Sequence, residues 1–203
     1  MNNKKTLLVI ILAFAVLMVG ATVLYRNLGA NLAPSQLATQ PPATEAPEAP
    51  EAPEATEIPG ETQPEPQQVP DFTVYDIDGN EVHLHDFFGK PIVLNFWASW
   101  CGPCKSEMPD FNETYQELGE EIQFLMINMT DGSRETLETA SEFVAGQGYS
   151  FPVFYDTAQH AAMVYGVYSL PTTFFIDTEG YPVAYASGAI PGESLLQGID
   201  MIR

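Results

Sequence analysis

The only two cysteines of this chain, Cys101 and Cys104, lie three positions apart in Trp100-Cys101-Gly102-Pro103-Cys104, directly after the near-continuous apolar run Ile92 to Trp97. A run this short, rich in branched and aromatic side chains and preceded by Gly89-Lys90-Pro91, predicts a central strand buried on both faces. Residues from about Gly102 to Leu118 predict a helix, with Pro103 tolerated in its first turn. The cysteines therefore stand where a buried strand gives way to a helix, and such a strand must be covered on both sides. A framework of structural disulfides would need cysteines spread along the chain, so the pair is a working pair or half of a metal site.

The rest of the carboxyl-terminal two thirds alternates short apolar strands with helical stretches. Phe72 to Tyr75, a turn at Asp78-Gly79 and the alternation of Val82 and Leu84 with His83 and His85 predict a β-hairpin. Further strands are expected over Ile122 to Met129, Phe151 to Tyr155, Thr172 to Asp177 and Val183 to Ala186. Helices are expected from Ser133 to Gln147, with Ser133 as N-cap and Glu135 in the first turn, near Ala158 to Tyr165, and from Pro191-Gly192-Glu193 onward. This order predicts an α/β domain with a mixed central sheet flanked by helices.

Ahead of that domain the composition changes twice. Leu7 to Tyr25 are nineteen residues without a charge, enough at about 1.5 Å per residue to cross a hydrocarbon core of about 30 Å. Lys4 and Lys5 precede this span and Arg26 follows it, which predicts a cytoplasmic amino terminus and an extracytoplasmic remainder. A cleaved signal peptide would carry a shorter apolar stretch and a small-x-small site, which Leu28 spoils in Leu28-Gly29-Ala30. The expectation is an uncleaved anchor over 1–29. Residues 30–68 form a Pro/Glu/Ala-rich linker in which Pro47, Pro50 and Pro53 recur with the three-residue period of polyproline II. The folding unit is then 69–203, long enough to bury a core without covalent staples. It holds four basic and twenty acidic side chains, a net −16 within the −20 of the whole chain. Such a surface repels nucleic acid and anionic headgroups. It fits a well-solvated surface or a basic protein partner.

At the start of a helix, unpaired backbone N–H groups and the helix dipole favour a thiolate. Cys101, the earlier of the two, is expected to be the exposed nucleophile that attacks a substrate disulfide. Cys104, on the first turn, then attacks the mixed disulfide and releases the product. The alternative, a metal half-site completed by His83 and His85, is weak because those histidines alternate with apolar neighbours and are expected to face solvent.

Residues 91–109, PIVLNFWASWCGPCKSEMP, resemble the active-site strand and helix of thioredoxin-like proteins, and Leu170-Pro171-Thr172-Thr173-Phe174-Phe175-Ile176-Asp177 resembles their second signature. With the hairpin, the long middle section and the apolar amino terminus, the chain is most similar to the TlpA/ResA group of extracytoplasmic thiol-disulfide oxidoreductases. The resemblance implies a thioredoxin-like fold with an N-terminal hairpin extension, a cis bond before Pro171, and catalytic roles for Cys101, Cys104, Glu107 and Pro171. It implies substrate contacts at Trp100, Gly102, Pro103, Leu170 and Thr172. It also implies exported protein disulfides as substrates, a membrane thiol-disulfide electron donor, a monomer, and no cofactor or bound metal. Thioredoxins carry a buried aspartate where this chain has Asn95, whereas ResA-like proteins carry a glutamate at the position of Glu107. Glu107 is therefore either a proton-transfer group on the Cys104 face of the helix or a solvated acid. Lys105 is expected to be exposed and Pro109 to be structural.

The Gly102-Pro103 dipeptide is that of thioredoxin, which favours reduction. A peroxidase on the same fold would need proline at Leu94 and a hydroxyl at Ala98. Copper delivery through the two thiols lacks a nearby histidine in sequence, and Pro171 would crowd a metal. A pure interaction module on a stalk is the remaining alternative.

Overall fold

A computed structural model describes residues 67–203. The apolar segment at 7–25 and nearly all of the 30–68 linker lie outside the described residues, among which no helix is long and apolar enough to cross a membrane.

Seven strands form one mixed sheet: β1 (Thr73–Tyr75), β2 (Glu81–His83), β3 (Ile92–Trp97), β4 (Gln123–Asn128), β5 (Val153–Tyr155), β6 (Thr172–Ile176) and β7 (Pro182–Ser187). Their spatial order is β2-β1-β5-β4-β3-β6-β7. β4 runs parallel to both β3 and β5, while β6 pairs antiparallel with β3 and β7, and β1 antiparallel with β2 and β5. Four α-helices complete the described residues: α1 (Gly102–Leu118), α2 (Leu137–Gln147), α3 (His160–Val164) and α4 (Gly192–Ile202).

Every residue of β3 is buried, and its period of two divides them between two cores. Val93 and Trp97 join Cys104, Met108 and Phe111 of α1, Ala140 of α2 and Leu195, Ile199 and Ile202 of α4. Ile92, Leu94 and Phe96 join Phe72, Val74 and Leu84 with Ala161 and Ala162 of α3. Asn95 shares the parity of Val93 and Trp97, so the one polar side chain of the strand is directed to the side of α1.

Two local expectations are corrected. Leu84 does not extend β2; it opens a 3-10 turn, Leu84–Phe87, and its side chain is buried in the second core. Ser133 does not cap α2, because Asp131 Oδ1 takes the backbone N–H groups of Ser133, Arg134 and Glu135 and holds them in a non-helical loop. The N-cap is Thr136, whose hydroxyl accepts the Thr139 N–H at 3.1 Å while Thr139 Oγ1 accepts the Thr136 N–H.

Candidate active site

Cys101 is the N-cap of α1, and the two cysteines form a disulfide. Cys101 Sγ accepts the backbone N–H of Cys104 at 3.2 Å, so the sulfur already meets one of the unpaired donors of the helix start. The pair is asymmetric: Cys101 is 4% exposed and Cys104 is 0% exposed. Cys101 is the less buried of the two, but the expectation of an exposed side chain is corrected, since it sits in the first core with Trp97, Ala98 and Cys104. Gly102, Pro103 and Lys105 are exposed beside it. Pro109 lies inside α1.

The Leu170–Pro171 peptide is cis. Pro171 is buried, and its carbonyl accepts the Gly188 N–H at 2.8 Å. Leu170 packs against both cores and also lines, with Trp100, Met129, Asp131 and Gln159, an open groove of about 300 Å³. Thr172 is buried, and its hydroxyl donates to the Ser169 carbonyl at 2.8 Å.

Glu107 is not a solvated acid. It is 2% exposed. Its Oε1 accepts Asn95 Nδ2 at 2.9 Å, and its Oε2 accepts the backbone N–H of Ile190, also at 2.9 Å. Asn95 Nδ2 reaches Thr173 Oγ1 as well, and Asn95 Oδ1 has no partner. Burial raises the Glu107 carboxyl to about 7, the two hydrogen bonds opposing it and the charge of Asp110 adding to it. A carboxyl of this kind exchanges a proton near neutral pH, three residues from Cys104 on the same helix.

His83 and His85 are not brought to the cysteines. His83 is on β2, four strands from β3, with Nδ1 3.5 Å from Asp71, and His85 Nε2 lies 3.1 Å from the Val69 carbonyl. Sequence reasoning missed two residues that the fold does bring in. Glu135, taken for a helix residue, is fully buried against Ser99 and Asn128. Arg134 places its guanidinium 3.5 Å from the centroid of the Trp100 ring. The Asp131-Gly132 pair, a turn signal just after β4, was the one hint that helix α2 starts later.

A cysteine pair at the start of a helix, on the central strand of a mixed sheet and accompanied by a cis-proline turn, defines a thioredoxin-like thiol-disulfide oxidoreductase. Residues 66–183 match the family model described as the AhpC/TSA family. The chain is 37% identical over 137 residues to the thiol-disulfide oxidoreductase ResA of Geobacillus thermodenitrificans, covering 66% of this chain and 75% of that protein. The crystal structure of the pneumococcal exposed lipoprotein thioredoxin from Streptococcus pneumoniae is 34% identical, with a TM-score of 0.55 over 64% of this chain and 98% of that one. That of a DsbF homologue from Corynebacterium diphtheriae is 28% identical, with a TM-score of 0.60 over 71% and 96%. The chain belongs to the ResA-like thiol-disulfide oxidoreductases within the AhpC/TSA family.

Proposed function

We propose that this chain reduces disulfides of exported proteins from an extracytoplasmic, membrane-tethered position. The observation that carries the chemistry is the asymmetric Cys101–Cys104 disulfide at the amino-terminal end of α1. In the reduced form the Cys101 thiolate attacks one sulfur of the substrate disulfide, forming the mixed disulfide and expelling the other substrate sulfur as a thiolate. Cys104 loses its proton and attacks Cys101 Sγ; the Cys101–Cys104 bond forms, the mixed disulfide breaks, and the substrate leaves as a dithiol. Glu107 is the acceptor for the Cys104 proton, its raised affinity matching the pH at which a thiol must be deprotonated. The substrate segment lies across Trp100, Gly102, Pro103 and the Leu170 backbone.

Export and tethering rest on the apolar span 7–25, the charges flanking it and the acidic proline-rich linker. The relative from Streptococcus pneumoniae, described as an exposed lipoprotein, is in keeping with that location. The β1–β2 pair is read as an extension of the shared fold. An extracytoplasmic reductant requires electrons, and a membrane thiol-disulfide carrier is the donor class this reading requires. Insulin-disulfide reduction with a dithiol donor is the test, run beside peroxide turnover and metal content of the purified protein. Reduction abolished by Cys101→Ser is expected; peroxide turnover without disulfide reduction would overturn it.

A further inference from the structure

The loop between β4 and α2 grips the segment that carries Cys101 at two points, through Glu135 and Arg134, residues that the thiol exchange described above does not use. Glu135 is fully buried. Its Oε1 accepts the Ser99 backbone N–H at 2.8 Å and Asn128 Nδ2 at 2.7 Å, and its Oε2 accepts the Ser99 hydroxyl at 2.7 Å. Burying a carboxylate is costly unless donors surround it, and here two come from Ser99 in the turn after β3 and one from Asn128 at the end of β4. The second grip is Arg134, whose guanidinium lies 3.5 Å from the centroid of the half-exposed Trp100 ring. Asp131 Oδ1 stiffens the loop between these points by accepting three successive N–H groups, of Ser133, Arg134 and Glu135.

Ser99 lies within a single tight turn, because the Cys101 N–H bonds the Ala98 carbonyl at 3.1 Å. Holding Ser99 by both its backbone and its hydroxyl therefore sets the direction in which Trp100 and Cys101 leave β3. We propose that Glu135 is a positioning residue for disulfide exchange, fixing the 98–101 turn so that Cys101 Sγ stays aligned with the Cys104 N–H and with an incoming disulfide. This rests on Cys101 being the attacking thiol. Attack on a disulfide is directional, and a misplacement of about 1 Å costs on the order of 10² in rate.

Shape and charge make opposite forecasts at this position. Glu135→Gln removes the charge but keeps the contacts: its Oε1 accepts the same two donors, and its Nε2 donates to a Ser99 hydroxyl that turns to accept. Glu135→Asp keeps the charge but is one methylene short. Steady-state insulin reduction, with kcat and KM separated, and the pH profile of Cys101 alkylation in the reduced protein are the readouts. Glu135→Gln is expected to stay within about threefold of wild type, and Glu135→Asp to lose about tenfold or more in kcat. The alkylation profile of Glu135→Asp should also move towards that of a free thiol, near pH 8.5. Ser99→Ala, which removes only the hydroxyl contact, should fall between them and combine non-additively with Glu135→Asp. An Asp variant like wild type beside a slow Gln variant would overturn the proposal in favour of a charge effect. Wild-type rates and profiles throughout, with only thermal midpoints lowered, would reduce Glu135 to a structural tie. Should Glu135→Asp not fold, Ser99→Ala at the wild-type rate and profile overturns the proposal by itself. A wild-type chain without disulfide reduction sinks the proposed function instead, while the alkylation series still reads the positioning.

Discussion

Cys101 and Cys104 are chemically identical, and the roles proposed for them rest on Cys101 being the N-cap of α1 and the less buried of the two. In the reduced protein Cys101 should take up nearly all of an alkylating reagent at neutral pH, with Cys104 slow; peptide mass spectrometry showing preferential labelling of Cys104 would reverse the assignment. Glu107 yields a second prediction, in pH. Its carboxyl is raised from 4.5 to about 7 in the fold, so the folded state holds the extra proton between those values. Stability from this group is therefore greatest below about pH 4.5 and is lost as pH rises to about 7, by on the order of 3 kcal/mol. Glu107→Gln should lack this decline. Its amide is accommodated if Asn95 turns its unpartnered Oδ1 towards it. Denaturant titrations at several pH values would show parallel curves for the two proteins if the carboxyl were not coupled to folding. The same variant should slow disulfide reduction by about 10² or more, because on the proposed mechanism proton transfer from Cys104 loses its acceptor. A surface acid would have left stability nearly unchanged, which the burial of Glu107 rules out.

At the scale of elements, α1 and α4 are joined by more than apolar packing. Glu107 and Asp110, one turn apart on α1, accept the Ile190 and Gly192 N–H groups at 2.9 and 2.8 Å where the chain enters α4. Asp110 thus supplies from another helix the cap that Pro191 lacks. Leu195, Gly198, Ile199 and Ile202 then form the buried stripe of α4. A Cβ at Gly198 would run into the Phe175 ring of β6. Gly198→Ala should therefore destabilise by about 1–3 kcal/mol, although alanine is the better helix former by about 1 kcal/mol. A thermal midpoint at or above that of wild type would show that Phe175 yields freely. The bounds of β3 and α1 were legible in sequence because an apolar run and a proline-bearing helix start are local signals. The start of α2 was not, since an aspartate side chain outcompeted a serine that looked equally able to cap.

For the whole molecule, the central prediction is topological. The domain should be released when intact protoplasts are treated with a protease that cuts the Pro/Glu-rich linker, and full protection of the domain would falsify the extracytoplasmic orientation. The amino acid sequence by itself determined the α/β class, the reactive pair and the elements flanking it, because burial patterns, turn residues and a Cys-x-x-Cys at a strand-to-helix junction act within a few positions. It also pointed to Glu107 by its spacing from Cys104, while leaving open whether that acid was wet or dry. Only the tertiary structure decided that question, through Asn95 twelve residues before Glu107 and Ile190 eighty-three after it. The same holds for Glu135 and Ser99, thirty-six residues apart and joined because β3 and β4 lie side by side in parallel. Helical and strand periods say which face a residue occupies. The solvation and partners of a buried acid depend on segments distant in the chain, which only the assembled sheet brings within hydrogen-bonding distance.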